Sequence, residues 1–198
     1  MNLRTRISVL LCFIAALCMA QEENSDYNWE GMFSGELNSN GYGVNGGVHW
    51  MPIPYIGIGA AIGFDSEIKE ISDWGRNKYD PCYVDNYCMR FIFKPSLMLR
   101  TPSLLHIKSQ DMDLHLFASP GIIMSPPASG AKGSEWLYWT GSAGITAIID
   151  RLTLSLGYSQ SNYSLIDGNP YTHHGYDPYV RNKKNYTHSV FFTLGWKF

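Results

Sequence analysis

The chain has 198 residues and a formal net charge of −2, with 16% charged and 14% aromatic residues; this fits one domain and offers nucleic acid no basic surface. Mean hydropathy is −0.15, and beyond residue 20 no run of roughly eighteen apolar residues occurs, which excludes membrane-crossing helices there. Strands that alternate lipid-facing and lumen-facing side chains dilute hydropathy and escape that exclusion.

The chain opens on a targeting segment. Arg4 and Arg6 precede an apolar run from Ile7 to Met19, and Cys18, Met19 and Ala20 before Gln21 resemble a small-residue cleavage site. Residues 1–20 read as a signal peptide and residues 21–198 as one mature domain. Cys12 and Cys18 fall in the signal, which leaves Cys82 and Cys88 in a polar segment rich in Tyr, Asp and Asn. In an exported loop such a pair either closes a disulfide or stays as two thiols, and two cysteines are too few for structural zinc.

From there a period of two recurs, and it predicts eight strands. The first, Tyr27 to Leu37, sets Tyr27, Trp29, Phe33 and Leu37 against Glu30, Met32, Ser34 and Glu36. The second, Tyr42 to Met51, sets Tyr42, Val44, Val48 and Trp50 against Gly43, Asn45, Gly47 and His49, and Pro52 and Pro54 end it. The third, Tyr55 to Glu67, alternates Ile56, Ile58, Ile62 and Phe64 with glycines and Asp65; the glycines leave room for larger side chains crossing a narrow interior. The fourth, Cys88 to Arg100, sets Met89, Phe91, Phe93, Leu97 and Leu99 against Arg90, Ile92, Lys94, Ser96 and Arg100. The fifth, Asp113 to Met124, sets Leu114, Leu116, Ala118 and Ile122 against His115, Phe117, Ser119 and Gly121. Pro95 and Pro120 imply a bulge or an interrupted ladder in these two.

The sixth strand, Glu135 to Ile149, places Leu137, Trp139 and Ile145 opposite Trp136, Tyr138, Ser142 and Thr146. Asp150 and Arg151 make a hairpin into the seventh, Leu152 to Ser159, with Leu154, Leu156 and Tyr158 on its apolar side. The last, Tyr186 to Phe198, sets Tyr186, His188, Val190, Phe192, Leu194, Trp196 and Phe198 against Thr187, Ser189, Phe191, Thr193, Gly195 and Lys197. That second face carries Gly, Ser and Thr where a soluble sheet would carry Lys and Glu. The strands are therefore read with the apolar side toward lipid and the small polar side toward a lumen.

Connections sort by parity. The links after the second, fourth and sixth strands are mostly compact, and those after the third, fifth and seventh are longer or more polar, as in barrels with short periplasmic turns and long outer loops. With both termini periplasmic, Trp29, Trp50, Trp196 and Phe198 fall at one rim, and Tyr42, Phe64, Trp139, Tyr158 and Tyr186 at the other. Those are the positions of two aromatic girdles at headgroup level.

The signal peptide, the segment LHLFASPGIIM from Leu114, the pair GITAIIDRLTLSLGYS from Gly144 and the terminal FFTLGWKF together resemble the small eight-stranded outer-membrane barrels of the OmpX/OmpA type, and the generic outer-membrane β-barrel domain proteins of Bacteroidota. The resemblance implies an all-β, antiparallel, up-and-down transmembrane barrel in the outer membrane of a Gram-negative bacterium. It also implies a terminal signal for the outer-membrane insertion machinery, carried by Val190, Phe192, Leu194, Trp196 and Phe198.

An eight-stranded barrel is just wide enough for side chains to fill it. The inward charges Glu30, Glu36, Asp65 and Glu67 against Arg90, Lys94, Arg100 and Lys197 are expected to pair, with Asp65 and Glu67 beside Arg90 and Glu30 beside Lys197. That favours a plugged barrel over a pore or small-solute conduit. A lipid-modifying enzyme needs Ser, His and an acid gathered near the outer leaflet, and His49, His115 and His188 assemble no such group. His173 and His174, in a tyrosine-rich loop, read as solvated surface, so neither metal nor cofactor is expected. The loops Asp73 to Asn86 and Asn169 to Asn185 are rich in Tyr, Asn and Asp, a composition suited to surface recognition. The expected role is a structural or adhesin-like one for a monomer. Its surroundings are outer-membrane lipid and lipopolysaccharide, and Arg181, Lys183 and Lys184 are available to anionic headgroups.

Overall fold

The computed structural model describes residues 28–39, 41–68, 89–126, 136–163 and 186–198. They form β1 (Trp29–Asn38), β2 (Gly41–Ile53), β3 (Ile56–Glu67), β4 (Met89–Arg100), β5 (Leu105–Ile107), β6 (Met112–Met124), β7 (Leu137–Ile149), β8 (Leu152–Ser161) and β9 (Thr187–Lys197). Neighbours pair antiparallel, β1 pairs with β9, and β4 pairs with β6, so the sheet closes on itself as an eight-stranded up-and-down barrel. No helix occurs among the described residues.

The ninth strand, β5, stands outside the ring. It takes over from β4 beside β6 at the end where both termini lie, pairing Leu105↔Leu114 through Ile107↔Met112. The eight staves are the eight expected strands, each with ends within about two residues of the sequence reading. β2 departs from expectation at Pro52: the strand runs through it to Ile53, and the register with β3 shifts between Trp50 and Ile53. A bulge beside the turn absorbs the missing N–H. Trp136, expected in the lumen, is 54% exposed, because it precedes β7 and escapes its alternation.

Burial is inverted relative to a soluble sheet. Phe33, Ile62, Leu156 and Phe192 are among many large apolar side chains more than half exposed, while Glu30, His49, Asp65, Arg90, Arg100 and His115 are buried. The apolar side of every stave faces out.

The pairing register fixes the dimensions. Following Cα partners from Glu30 through His49, Gly59, Ser96, Gly121, Thr140 and Ser161 to Thr187 ends two residues beyond the pair Asn38↔Ser189. One circuit thus advances from position 30 to position 40, a shear of about ten residues. With a rise of about 3.3 Å and a strand spacing of about 4.8 Å, this shear tilts eight strands by about 40° around a backbone radius of about 8 Å. Side chains from opposite walls reach one another across that width where Glu30 meets Arg100 and Glu36 meets Lys94.

Candidate functional site

The lumen carries two tiers of charge. At the terminal end, Nη2 of Arg100 donates to Glu30 at 3.1 Å and 3.4 Å, with both residues buried. His49 and Lys197 flank Glu30 as its Cα partners on either side. At the far end, Lys94 Nζ donates to Glu36 at 2.9 Å. Above this pair Arg90 lies against the rings of Tyr138 and Tyr163, at 5.7 Å and 5.2 Å from their centroids, and donates to the Tyr138 hydroxyl and the Ser125 carbonyl. Tyr138 and Tyr163 meet edge to face at 5.2 Å and join buried Ile92 and Ile123 in one cluster.

Asp65 and Arg90 are Cα partners, as are Glu30 and Lys197, in keeping with the placement read from sequence. The guanidinium of Arg90 also lies against the two tyrosines, and Glu30 in addition meets Arg100, which the sequence reading did not pair with it. The added partners follow from the shear. Three staves around from β1, a climb of about ten residues per circuit shifts the residue at equal height by about four. For Glu36 that moves the opposing position from Arg90 to Lys94, and for Glu30 from Ser96 to Arg100. The side chain of Glu67 lies outside the described residues, as do Cys82, Cys88, the signal segment, His173, His174 and the two long loops.

Between the tiers, glycines receive aromatic rings. Phe117 and Phe191 stand 6.1 Å apart, and a Cβ on Gly157 would come within 2.6 Å of Phe191 and 3.0 Å of Phe117. A Cβ on Gly144 would meet the Leu156 carbonyl and the Gly157 backbone first, and Phe117 at 2.9 Å. The alternation showed both phenylalanines on the polar face. Tyr163 was missed because it lies past the end of the seventh strand; extending β8 by one step of parity beyond Ser161 places it inward.

Outside, the aromatic side chains collect at the two rims. Trp29 and Trp50 pair at 6.5 Å at the terminal end beside Trp196 and Phe198, and Trp139 pairs with Tyr186 at 5.9 Å at the far end, where Tyr42 and Phe64 also lie. Tyr158 sits deeper than its expected girdle, and its hydroxyl hydrogen-bonds Nδ1 of His188 nearer the rim.

One group was not anticipated. Ser103 donates to Asp113 Oδ1 at 2.7 Å, and His106 Nδ1 lies 3.1 Å from the same oxygen. The hydroxyl and the imidazole both meet the carboxylate, so the arrangement fastens β5 to β6.

Among solved structures, the fold is similar to the N-terminal β-barrel domain of Pseudomonas aeruginosa OprF, with a TM-score of 0.51 and 10% identity over 87% of this chain and 98% of that one. It is similar also to Neisserial surface protein A, NspA, with a TM-score of 0.51 and 9% identity over 86% and 96% of the two chains. At these identities the likeness is one of fold. No protein-family model and no curated protein matches the chain.

Proposed function

We propose that the chain is an integral outer-membrane barrel, exported by the signal at residues 1–20, with periplasmic termini and a structural or surface-interaction role through its far-end loops. The observation that supports it best is the inverted burial: a continuous belt of exposed Phe, Leu, Ile and Val surrounds a polar interior. Strands of ten to thirteen residues tilted by about 40° span about 25–33 Å along the axis, enough for the apolar band of about 25 Å of outer-membrane barrels. In water the same surface would drive association.

In this reading lipid and lipopolysaccharide surround the belt, and the insertion machinery reads Val190, Phe192, Leu194, Trp196 and Phe198, all outward and exposed. Kinship with the generic Bacteroidota barrel proteins is part of the proposal and rests on the sequence segments quoted above. The two tiers of ion pairs favour a closed barrel over a conduit, and no Ser, His and acid group in the described residues is arranged for lipid chemistry. Partner specificity then resides in the loops 73–86 and 169–185.

Heat-dependent gel migration tests the barrel, since an intact one resists detergent and runs ahead of its boiled form. Deleting either loop tip and measuring attachment of expressing cells tests the role. Lost attachment with retained fast migration supports surface interaction; unchanged attachment leaves the structural role. A monomer soluble without detergent, or a large steady single-channel conductance, would overturn the corresponding part.

A further inference from the structure

The inward-facing residues are sealed at both ends of the barrel and partly open at its waist. On β4, Arg90, Ile92 and Arg100 are buried, whereas Lys94, Ser96 and Met98 between them are not; on β9, Ser189 and Gly195 are buried, whereas Phe191 and Thr193 are not. β7 and β8 repeat the pattern, and so does Met32 on β1. Residues that point inward and yet keep accessible surface mark the waist as less filled than either end. The ion pairs of Glu36 with Lys94 and of Glu30 with Arg100 stand to either side of it along the axis.

One wall is weak at the same depth. The carbonyl of Phe91 accepts from Ser125 on the β6 side, while the N–H of Arg100 donates to Tyr55 on the β3 side, so odd-numbered residues of β4 direct their backbone groups at β6. On β6, the Ser119 carbonyl accepts from Ser142 of β7, and that of Leu116 accepts from Thr101, so even-numbered residues face β4. Pro95 and Pro120 therefore both aim at the seam. By register they stand opposite Ile122 and Leu97, and each of these pairs lacks one of its two hydrogen bonds: the ladder steps from Phe93↔Met124 to Ser96↔Gly121 to Leu99↔Ala118. The ladders of β3 with β4 and of β6 with β7 run unbroken past both prolines. Two successive hydrogen-bonded positions in one seam have each lost a donor, leaving the carbonyls of Leu97 and Ile122 facing ring nitrogens.

We propose that the wall parts between β4 and β6, and that this seam admits one unbranched hydrocarbon chain of a bilayer amphiphile into the waist. The inference rests on the membrane reading above. A solute from water would have to break a tier of charge, whereas the seam opens onto acyl chains. Met32, Met98, Phe117 and Phe191 supply soft apolar surface inside, and methionine adapts to such a guest. A backbone radius of about 8 Å leaves width for a single chain and not for a two-chain lipid.

The full mature chain, with Cys82→Ser and Cys88→Ser and with methionine methyls labelled, is placed in phosphatidylcholine nanodiscs and titrated with a stearic acid carrying a mid-chain nitroxide. The inward Met32 and Met98 methyl signals are expected to lose most of their intensity, as do those of the lipid-facing Met89 and Met124. Adding Ser96→Cys and Gly121→Cys, across the seam, is expected to abolish the inward loss when oxidised and restore it on reduction. Broadening of Met89 and Met124 alone overturns the chamber and its seam while leaving the membrane reading intact. Broadening of none of the four overturns the membrane reading. Equal inward broadening in the oxidised variant shows another route and overturns the seam. Where the crosslinked variant does not fold, Pro95→Ala with Pro120→Ala restores both donors, and the nitroxide is then expected to reach the inward methyls at least tenfold more slowly; an unchanged rate also overturns it.

Discussion

Arg100 and Glu30 are the residues on which the terminal seal depends. Both are buried, so removing one leaves the other without its hydrogen-bonded counter-charge, a loss of about 3–5 kcal/mol. Arg100→Met is expected to lower unfolding stability by that amount in a urea titration of the lipid-embedded barrel. Glu30→Met combined with Arg100→Met is expected to recover most of it, because an apolar pair of similar volume needs no counter-charge. Gly157 makes a different demand: its missing Cβ is space used by Phe191 and Phe117, so Gly157→Ala is expected to cost about 1–3 kcal/mol of overpacking. Phe191→Leu in the same chain withdraws the ring and is expected to return part of that stability. The inward direction of all four side chains was legible from parity alone. Their partners were not, since Glu30 meets Arg100 only through a shear set by the pairing of every stave around the ring.

The staves were legible because each is a long alternating run with one greasy side. β5 was not, for it is three residues, Leu105–Ile107, too short for any period to register. Its place depends on contacts between separate segments: Ser103 and His106 converge on Asp113, and Leu104 N–H donates to the Leu114 carbonyl. Asp113→Ala is expected to accelerate hydrogen exchange at Leu105 and Ile107 while changing global stability by less than about 1 kcal/mol, because exposed polar ties contribute little. A large global loss would mean that β5 belongs to the barrel wall after all. Pro95 and Pro120 predict a bulge or an interrupted ladder, and the ladder of β4 with β6 is interrupted at both. That both point at the same seam follows from which strand neighbours which at closure, and closure brings β4 beside β6 with β5 displaced.

For the molecule as a whole, depth along the barrel axis is the variable that separates a membrane barrel from a water-soluble one. Phe33 and Leu156 lie near the middle of the exposed belt, 59% and 60% accessible, whereas Leu137 lies at the far rim beside the Trp139 and Tyr186 pair. A cation at the bilayer midplane must be dragged out of water or thin the bilayer around it, and at the rim it reaches headgroups. Phe33→Arg and Leu156→Arg are each expected to cost about 2–4 kcal/mol in a lipid-based unfolding equilibrium, and Leu137→Arg about 0–1 kcal/mol. The contrast between depths matters more than any single value, because all three side chains are exposed, Leu137 the least at 43%, and a soluble protein would accept arginine at each. A flat profile would place the belt in water and remove the physical basis for the location, the loop assignment and the lateral seam alike. A graded profile with its maximum at Phe33 and Leu156 would fix the barrel's height in the bilayer independently of any aromatic residue.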